Sequence, residues 1–201
     1  MRIVNEKSMN VRQLVFKYRS YTPIPFIVVM LVFANPTLEK FFVGFFLVTV
    51  GEAIRFWGVA IAGSETRTTE TLAGKTLVTS GPFAYVRNPL YIGNMLMYVG
   101  FAIMSNALSM LFPLFVLIFF LLQYNIIVSL EEEYLAGKFG VAYHLYCNDV
   151  QRFFPRMTKR VSIELPQPKF DFTVALQSET RTLQAFGLLT AALLLRWKFL
   201  G

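Results

Sequence analysis

The chain has one cysteine, Cys147, and one histidine, His144. A single cysteine excludes an internal disulfide and any multi-cysteine metal site. A single histidine excludes a histidine-rich catalytic metal centre, and no metal-ligand set is predicted. Charge is also scarce: only 15% of the 201 residues are Asp, Glu, Lys or Arg, against 55% hydrophobic residues including 21 Phe. That balance lies outside the soluble range and within the membrane range. The first twenty residues lack the early apolar core and small-residue cleavage site of a secretory signal, so none is expected.

What is present is a set of long apolar runs. A membrane span needs about 20 largely apolar residues, fewer where flanking residues snorkel. Residues 21–34, 41–63, 89–105 and 107–129 meet or approach this, and 183–199 is either a fifth span or an interfacial helix. Residues 105–107 leave room only for a tight antiparallel hairpin. Pro23, Pro25 and Pro36 bracket the first run, whereas Pro113 is placed to kink the fourth. The predicted class is therefore an all-α integral membrane protein of about five transmembrane helices. It divides into a basic N-terminal segment (1–20), a membrane core (21–155) and a C-terminal extension (156–201).

Fifteen of the 19 Lys and Arg residues fall in segments 1–20, 64–88 and 130–182. The positive-inside rule then puts the N-terminus and these segments in the cytoplasm, in a bacterial inner membrane or the endoplasmic reticulum. The net charge of +7 is matched by anionic lipid and needs no nucleic acid. Within 1–20, Val11, Leu14, Val15 and Tyr18 recur at helical spacing among basic residues. This reads as a surface helix or as a solvated basic tail.

Two polar segments stand at the membrane mouths. In residues 77–91, Ser80-Gly81-Pro82 reads as a turn, Pro89 suits the first turn of a helix, and Asn88 is an acceptable N-cap. The exposed amides of that helix start, with Arg87, Tyr85 and Tyr91 beside them, suit a polar or anionic ligand end. They suit a capped helix with an interfacial belt equally well. Glu131-Glu132-Glu133 ends the fourth run, where carboxylates oppose the helix dipole. They either bind a cation or pair with Lys138, Arg87 or Arg152. Glu52 and Arg55 lie inside the second run at a spacing that permits a mutual ion pair. Ionisable groups there commonly face a cavity, which makes these two the candidate catalytic residues.

Arg87-Asn88-Pro89-Leu90-Tyr91-Ile92-Gly93 resembles the Arg-His-Pro-x-Tyr-x-Gly motif of isoprenylcysteine carboxyl methyltransferases and related phospholipid methyltransferases. The lead-in 77–83 and Glu131-Glu132, followed by Phe139-Gly140, Tyr143, Tyr146 and 150–155, resemble further signatures of that family. The resemblance covers about residues 44–155. It implies an integral-membrane methyltransferase that uses S-adenosylmethionine on a lipophilic acceptor, with the cofactor site on the cytoplasmic side. By position it implies that Lys75, Thr76, Leu77, Val78, Phe83, Asn88, Pro89, Leu90, Tyr91, Glu131 and Glu132 enclose the cofactor.

Asn88 stands where the family has histidine, and it cannot serve as a general base near neutral pH. His144 and Glu52 are the alternative proton acceptors, should the acceptor need to lose one. An NADPH-dependent steroid or sterol reductase shares an Arg-His-Pro-x-Tyr element, but clustered carboxylates suit a dianionic 2′-phosphate poorly. A non-enzymatic scaffold or transporter would be expected to show repeated halves, which are absent. The extension beyond Pro155 is expected to close a substrate tunnel, mediate oligomerisation or anchor the chain.

Overall fold

The computed structural model describes residues 10–63, 76–108, 110–158, 161–162 and 165–200. Lys75 and the polar stretch 64–74 lie outside the described residues. Among those described, seven α-helices and one 3₁₀ turn account for the regular structure. They are α1 (Val11–Tyr18), α2 (Pro23–Val32), α3 (Leu38–Ala62), α4 (Pro89–Ser105), α5 (Leu111–Phe139), α6 (Val141–Asp149) and α7 (Phe172–Leu200), with the 3₁₀ turn at Gly81–Ala84.

By length and composition, α3 and α5 can cross a membrane, while α2 and α4 are shorter apolar helices of 10 and 17 residues. The centre of the bundle is apolar and tight. Val48, Met104, Val116, Phe120, Ile127 and Leu193 are all essentially inaccessible.

The most extensive helix pair is α3 with α4, and glycine explains how close they come. Gly44 and Gly51 on α3 face Gly100 and Gly93 on α4, each pair offset by seven residues. A Cβ on Gly51 would lie 2.6 Å from the Gly93 carbonyl oxygen, and one on Gly100 would lie 2.7 Å from that of Gly44. Real side chains cannot occupy such space, so the two backbones are in direct contact.

The α4–α5 hairpin forms as expected. Asn106 takes the left-handed conformation (φ 47°) that asparagine tolerates, and its side chain is tied down on both sides. Lys40 Nζ donates to its Oδ1 at 2.6 Å, and its Nδ2 donates to the Asn35 carbonyl at 2.8 Å.

Two sequence expectations are corrected here. Pro113 is the third residue of α5, where the backbone N–H has no intrahelical partner to lose, so it sits at a helix start and not at an interior kink. The fourth apolar run does not end before the glutamates. α5 continues to Phe139 and turns at Gly140, whose φ of 53° suits glycine. Glu131, Glu132 and Glu133 therefore sit inside a helix, clear of its terminal carbonyls.

The segment 1–20 contributes a helix, α1, that lies against the end of α5, with Arg12 Nη2 2.6 Å from Glu133 Oε1. The extension beyond Pro155 returns to the bundle as α7, which packs on α3. At one end the Asp171 amide donates to the Ala60 carbonyl (2.8 Å), and at the other Arg196 Nε donates to the Ala34 carbonyl (2.8 Å). Ring contacts between Phe45 and Phe186 (5.7 Å) and between Phe56 and Phe172 (5.2 Å) fill the seam.

Candidate functional site

Residues 76–91 form the approach to α4 and are held almost entirely by residues 146–167. Gln167 Oε1 accepts from the Thr79 and Ser80 amides (2.8 and 3.1 Å), and its Nε2 donates to the Leu77 carbonyl (3.2 Å). The Tyr146 hydroxyl donates to the Phe83 carbonyl at 2.7 Å. The Arg87 amide donates to the Gln151 carbonyl (2.8 Å), and the Arg156 amide to that of Tyr85 (3.0 Å). These bonds satisfy backbone groups that no regular element serves. The loop is a fixed wall.

Asn88 precedes α4 but does not cap it. Its Nδ2 donates instead to the Arg152 carbonyl at 3.2 Å, and no side-chain cap bond forms. Burial pushes the Tyr146 phenol above its usual range, and burial with the nearby Glu132 carboxylate does the same for Tyr143. Both remain neutral hydroxyls.

Behind this wall lies a cavity of about 1210 Å³. Thr76, Leu77, Val78, Phe83, Asn88, Pro89, Leu90, Tyr91 and Glu131 all line it. Glu131 lines the cavity, and its Oε1 accepts from the Tyr91 hydroxyl at 2.7 Å. Tyr91 packs against Tyr124 at 4.6 Å between centroids, fixing the ring that holds the carboxylate.

Glu132 is turned away. It pairs with Arg152 and, at 3.4 Å, with Arg87, and it does not line the cavity. Two adjacent glutamates on one helix thus take separate roles, one facing the cavity and one bracing the loop. Lys75 lies outside the described residues. His144 is exposed on α6 and away from the cavity.

Arg55 lines the cavity, but its main partner is not the one its spacing suggested. Its Nη2 lies 2.8 and 2.9 Å from the two oxygens of Glu179, a wholly buried residue of α7, and Nη1 donates to Asn94 Oδ1 at 2.5 Å. Glu52 stands 3.8 Å from Arg55 Nε and faces a separate groove between α3 and α7. Most of the remaining lining is apolar, with α2 contributing Phe26, Ile27, Met30 and Leu31 and α7 contributing Phe186, Leu188, Leu189 and Ala192.

Sequence reasoning missed Arg19, Asn94, Gln167, Glu179 and Arg181. Asn94 shows only as a polar residue inside an apolar run and the others only as charge or polarity outside one, a pattern that ordinary surface residues share. The site combines one carboxylate and several oriented hydrogen-bonding groups with extensive apolar walls.

Cobalt-zinc-cadmium resistance protein CzcN of Cupriavidus metallidurans is 35% identical over 83 residues, covering 41% of this chain and 37% of that protein. Nickel-cobalt-cadmium resistance protein NccN of Alcaligenes xylosoxydans xylosoxydans is 29% identical over 116 residues, covering 58% of this chain and 50% of that protein. The chain thus spans half or less of the length of these curated relatives. No solved structure matches it significantly. The phospholipid methyltransferase family profile matches residues 39–142, from the start of α3 to the start of α6, which takes in every cavity-lining residue of α3, α4 and α5. The chain belongs to the phospholipid methyltransferase family.

Proposed function

We propose that this protein transfers a methyl group from S-adenosylmethionine to a lipophilic acceptor at the membrane. The observation that carries the reading is the cavity itself, in which Glu131, Asn88 and Tyr91 share one space with the apolar walls of α2 and α7.

The residues present fit the cofactor. Glu131, oriented by Tyr91, is suited to an ammonium group. Thr76, Leu77, Val78 and Phe83 offer backbone polar groups and apolar faces of the kind that hold a purine. S-adenosylmethionine, when bound, supplies a methyl group already activated on a sulfonium.

The protein's part is then largely positional: rigid walls bring nucleophile and methyl carbon into line and keep water out. Arg55, held by Glu179 and Asn94, is a positioning residue between the two ends of the cavity. An acceptor carboxylate can attack as it stands. A thiol, amine or phenol must give up a proton, for which Asn88 is unsuited; Glu131 is the cavity-lining carboxylate among the described residues.

The test is calorimetry on detergent-purified protein with S-adenosylmethionine, S-adenosylhomocysteine and NADPH. Micromolar binding of the first two, and its loss in Glu131→Ala, is the expected result. Binding of NADPH in their place would move the chain to reductase chemistry, and binding of none would overturn the proposal.

A further inference from the structure

Polar side chains from α3, α4 and α5 meet in the lining of the cavity, at Arg55, Tyr91, Asn94, Tyr98 and Tyr124. On α4, Tyr91, Asn94 and Tyr98 follow one another at intervals of three and four residues, so they share one face of the helix. Tyr98 lies about 10 Å further along that face than Tyr91. Hydrogen-bonding groups thus extend well beyond the Tyr91–Glu131 contact, into a space that α2 and α7 line with Phe26, Met30 and Phe186.

The direction of these bonds is set at one end. A guanidinium donates and never accepts, so Arg55 Nη1, at 2.5 Å, fixes Oδ1 as the Asn94 atom turned towards it. The amide N–H groups of Asn94 are thereby turned the other way, where Tyr124 is their partner. The Tyr124 and Tyr98 hydroxyls bond each other in turn, and stacking on Phe120, 4.2 Å between centroids, holds the Tyr98 ring. Two phenols joined by one bond hold two protons, and only one proton lies in that bond. A line that begins on a donor-only group therefore ends on a donor.

The charge of the line is equally informative. Arg55 has Glu179 at 2.8 Å and Glu52 at 3.8 Å, so its charge is met within the protein and calls for no anion. The amide and the phenols that follow are neutral donors. A buried donor without an acceptor is costly, and the complement of this line is an oxygen that accepts a hydrogen bond and carries no charge.

We propose that Asn94 and the Tyr98–Tyr124 pair are specificity-determining residues that hydrogen-bond an uncharged oxygen, carbonyl or ether, carried by the substrate within its apolar part. This deepens the methyl-transfer reading, in which that substrate is the methyl acceptor, and it rests on that reading for the role of the occupant though not for its binding. The bonded oxygen serves recognition. A molecule with unbroken hydrocarbon at the same place leaves the donors unmet and is rejected.

The experiment compares dihexyl ketone, tridecane and tridecanoate in maltoside detergent, with affinities read from ligand-dependent thermal unfolding. Wild type should prefer the ketone to the hydrocarbon by roughly tenfold, the scale of one neutral hydrogen bond, and tridecanoate should bind no better than the ketone. The infrared carbonyl stretch of the bound ketone should fall in frequency. Asn94→Asp keeps a partner for Arg55 but offers no N–H, and its carboxylate draws the phenol protons back along the line. The double variant Tyr98→Phe, Tyr124→Phe keeps both rings and removes both hydroxyls. Each should lose most of the preference and the infrared shift. Equal affinity for ketone and hydrocarbon, or a preference that survives intact in either variant, overturns the proposal. Tighter binding of tridecanoate overturns the uncharged oxygen and gives the line to an anion. S-adenosylhomocysteine titrated into the same samples separates the two readings: ketone preference without nucleoside binding retains the donor line and discards the methyl donor, and the converse discards this proposal alone.

Discussion

At the scale of single residues, the division of labour between Glu131 and Glu132 makes the sharpest prediction. Glu131→Gln keeps the shape and the Tyr91 contact but removes the charge that faces the cavity. It should weaken S-adenosylhomocysteine binding by roughly 10- to 100-fold, the range for a lost charge-assisted hydrogen bond, with little change in unfolding temperature. Glu132→Gln should do the reverse in kind. Its partners Arg87 and Arg152 brace the loop, so the melting temperature should fall first and binding should follow. Comparing the two by calorimetry and thermal unfolding distinguishes ligand contact from loop bracing. A glutamate pair was legible in the sequence, but which member faces inward was not. Consecutive helical residues point about 100° apart, and only the packed neighbours decide which direction is the cavity.

At the scale of elements, α3 and α4 supply a test of the glycine contact. A Cβ on Gly93 would lie 2.5 Å from Arg55 Cγ and 2.6 Å from the Gly51 carbonyl oxygen. The second of these is backbone and cannot swing aside. Gly93→Ala should therefore cost about 1–3 kcal/mol and displace Arg55 from Asn94, lowering activity as well as stability. Gly137 on α5 has nothing within 4 Å of such a Cβ, and Gly137→Ala should be neutral or stabilising by up to about 1 kcal/mol. Unfolding curves for the two variants check the pair. The helices themselves were largely readable as apolar runs, because burial in lipid or in a bundle demands the same composition. What could not be read was the role of α7. Its first turns, with Gln177, Ser178, Glu179, Thr180 and Arg181, look like a solvated face, yet Glu179 is wholly buried. A buried carboxylate is recognisable only once its guanidinium is in place beside it.

On the scale of the whole molecule, the cavity is assembled from parts far apart in the chain, with α1 and α2 on one side and α7 on another, both outside the matched segment 39–142. A ligand that bridges such parts stabilises the folded protein as a whole. Saturating S-adenosylhomocysteine at about 100 times its dissociation constant should add about 2.7 kcal/mol and raise the melting temperature measurably, an effect that Glu131→Ala should abolish. Removing the Glu179 carboxylate as Glu179→Gln leaves Arg55 dependent on Glu52 and Asn94. It should cost up to about 3 kcal/mol, the lower part of the range for a broken buried pair, as read by thermal unfolding. The same pairing sets an order in time. Glu179 follows Arg55 by 124 residues, an interval of about 6–25 s at the usual pace of synthesis. Throughout that interval the nascent chain carries Arg55 with Glu52, three residues earlier, as its nearest carboxylate in sequence. Glu52 is thus the carboxylate within reach while α3 is made, and Glu179 adds the two-oxygen contact of the finished protein.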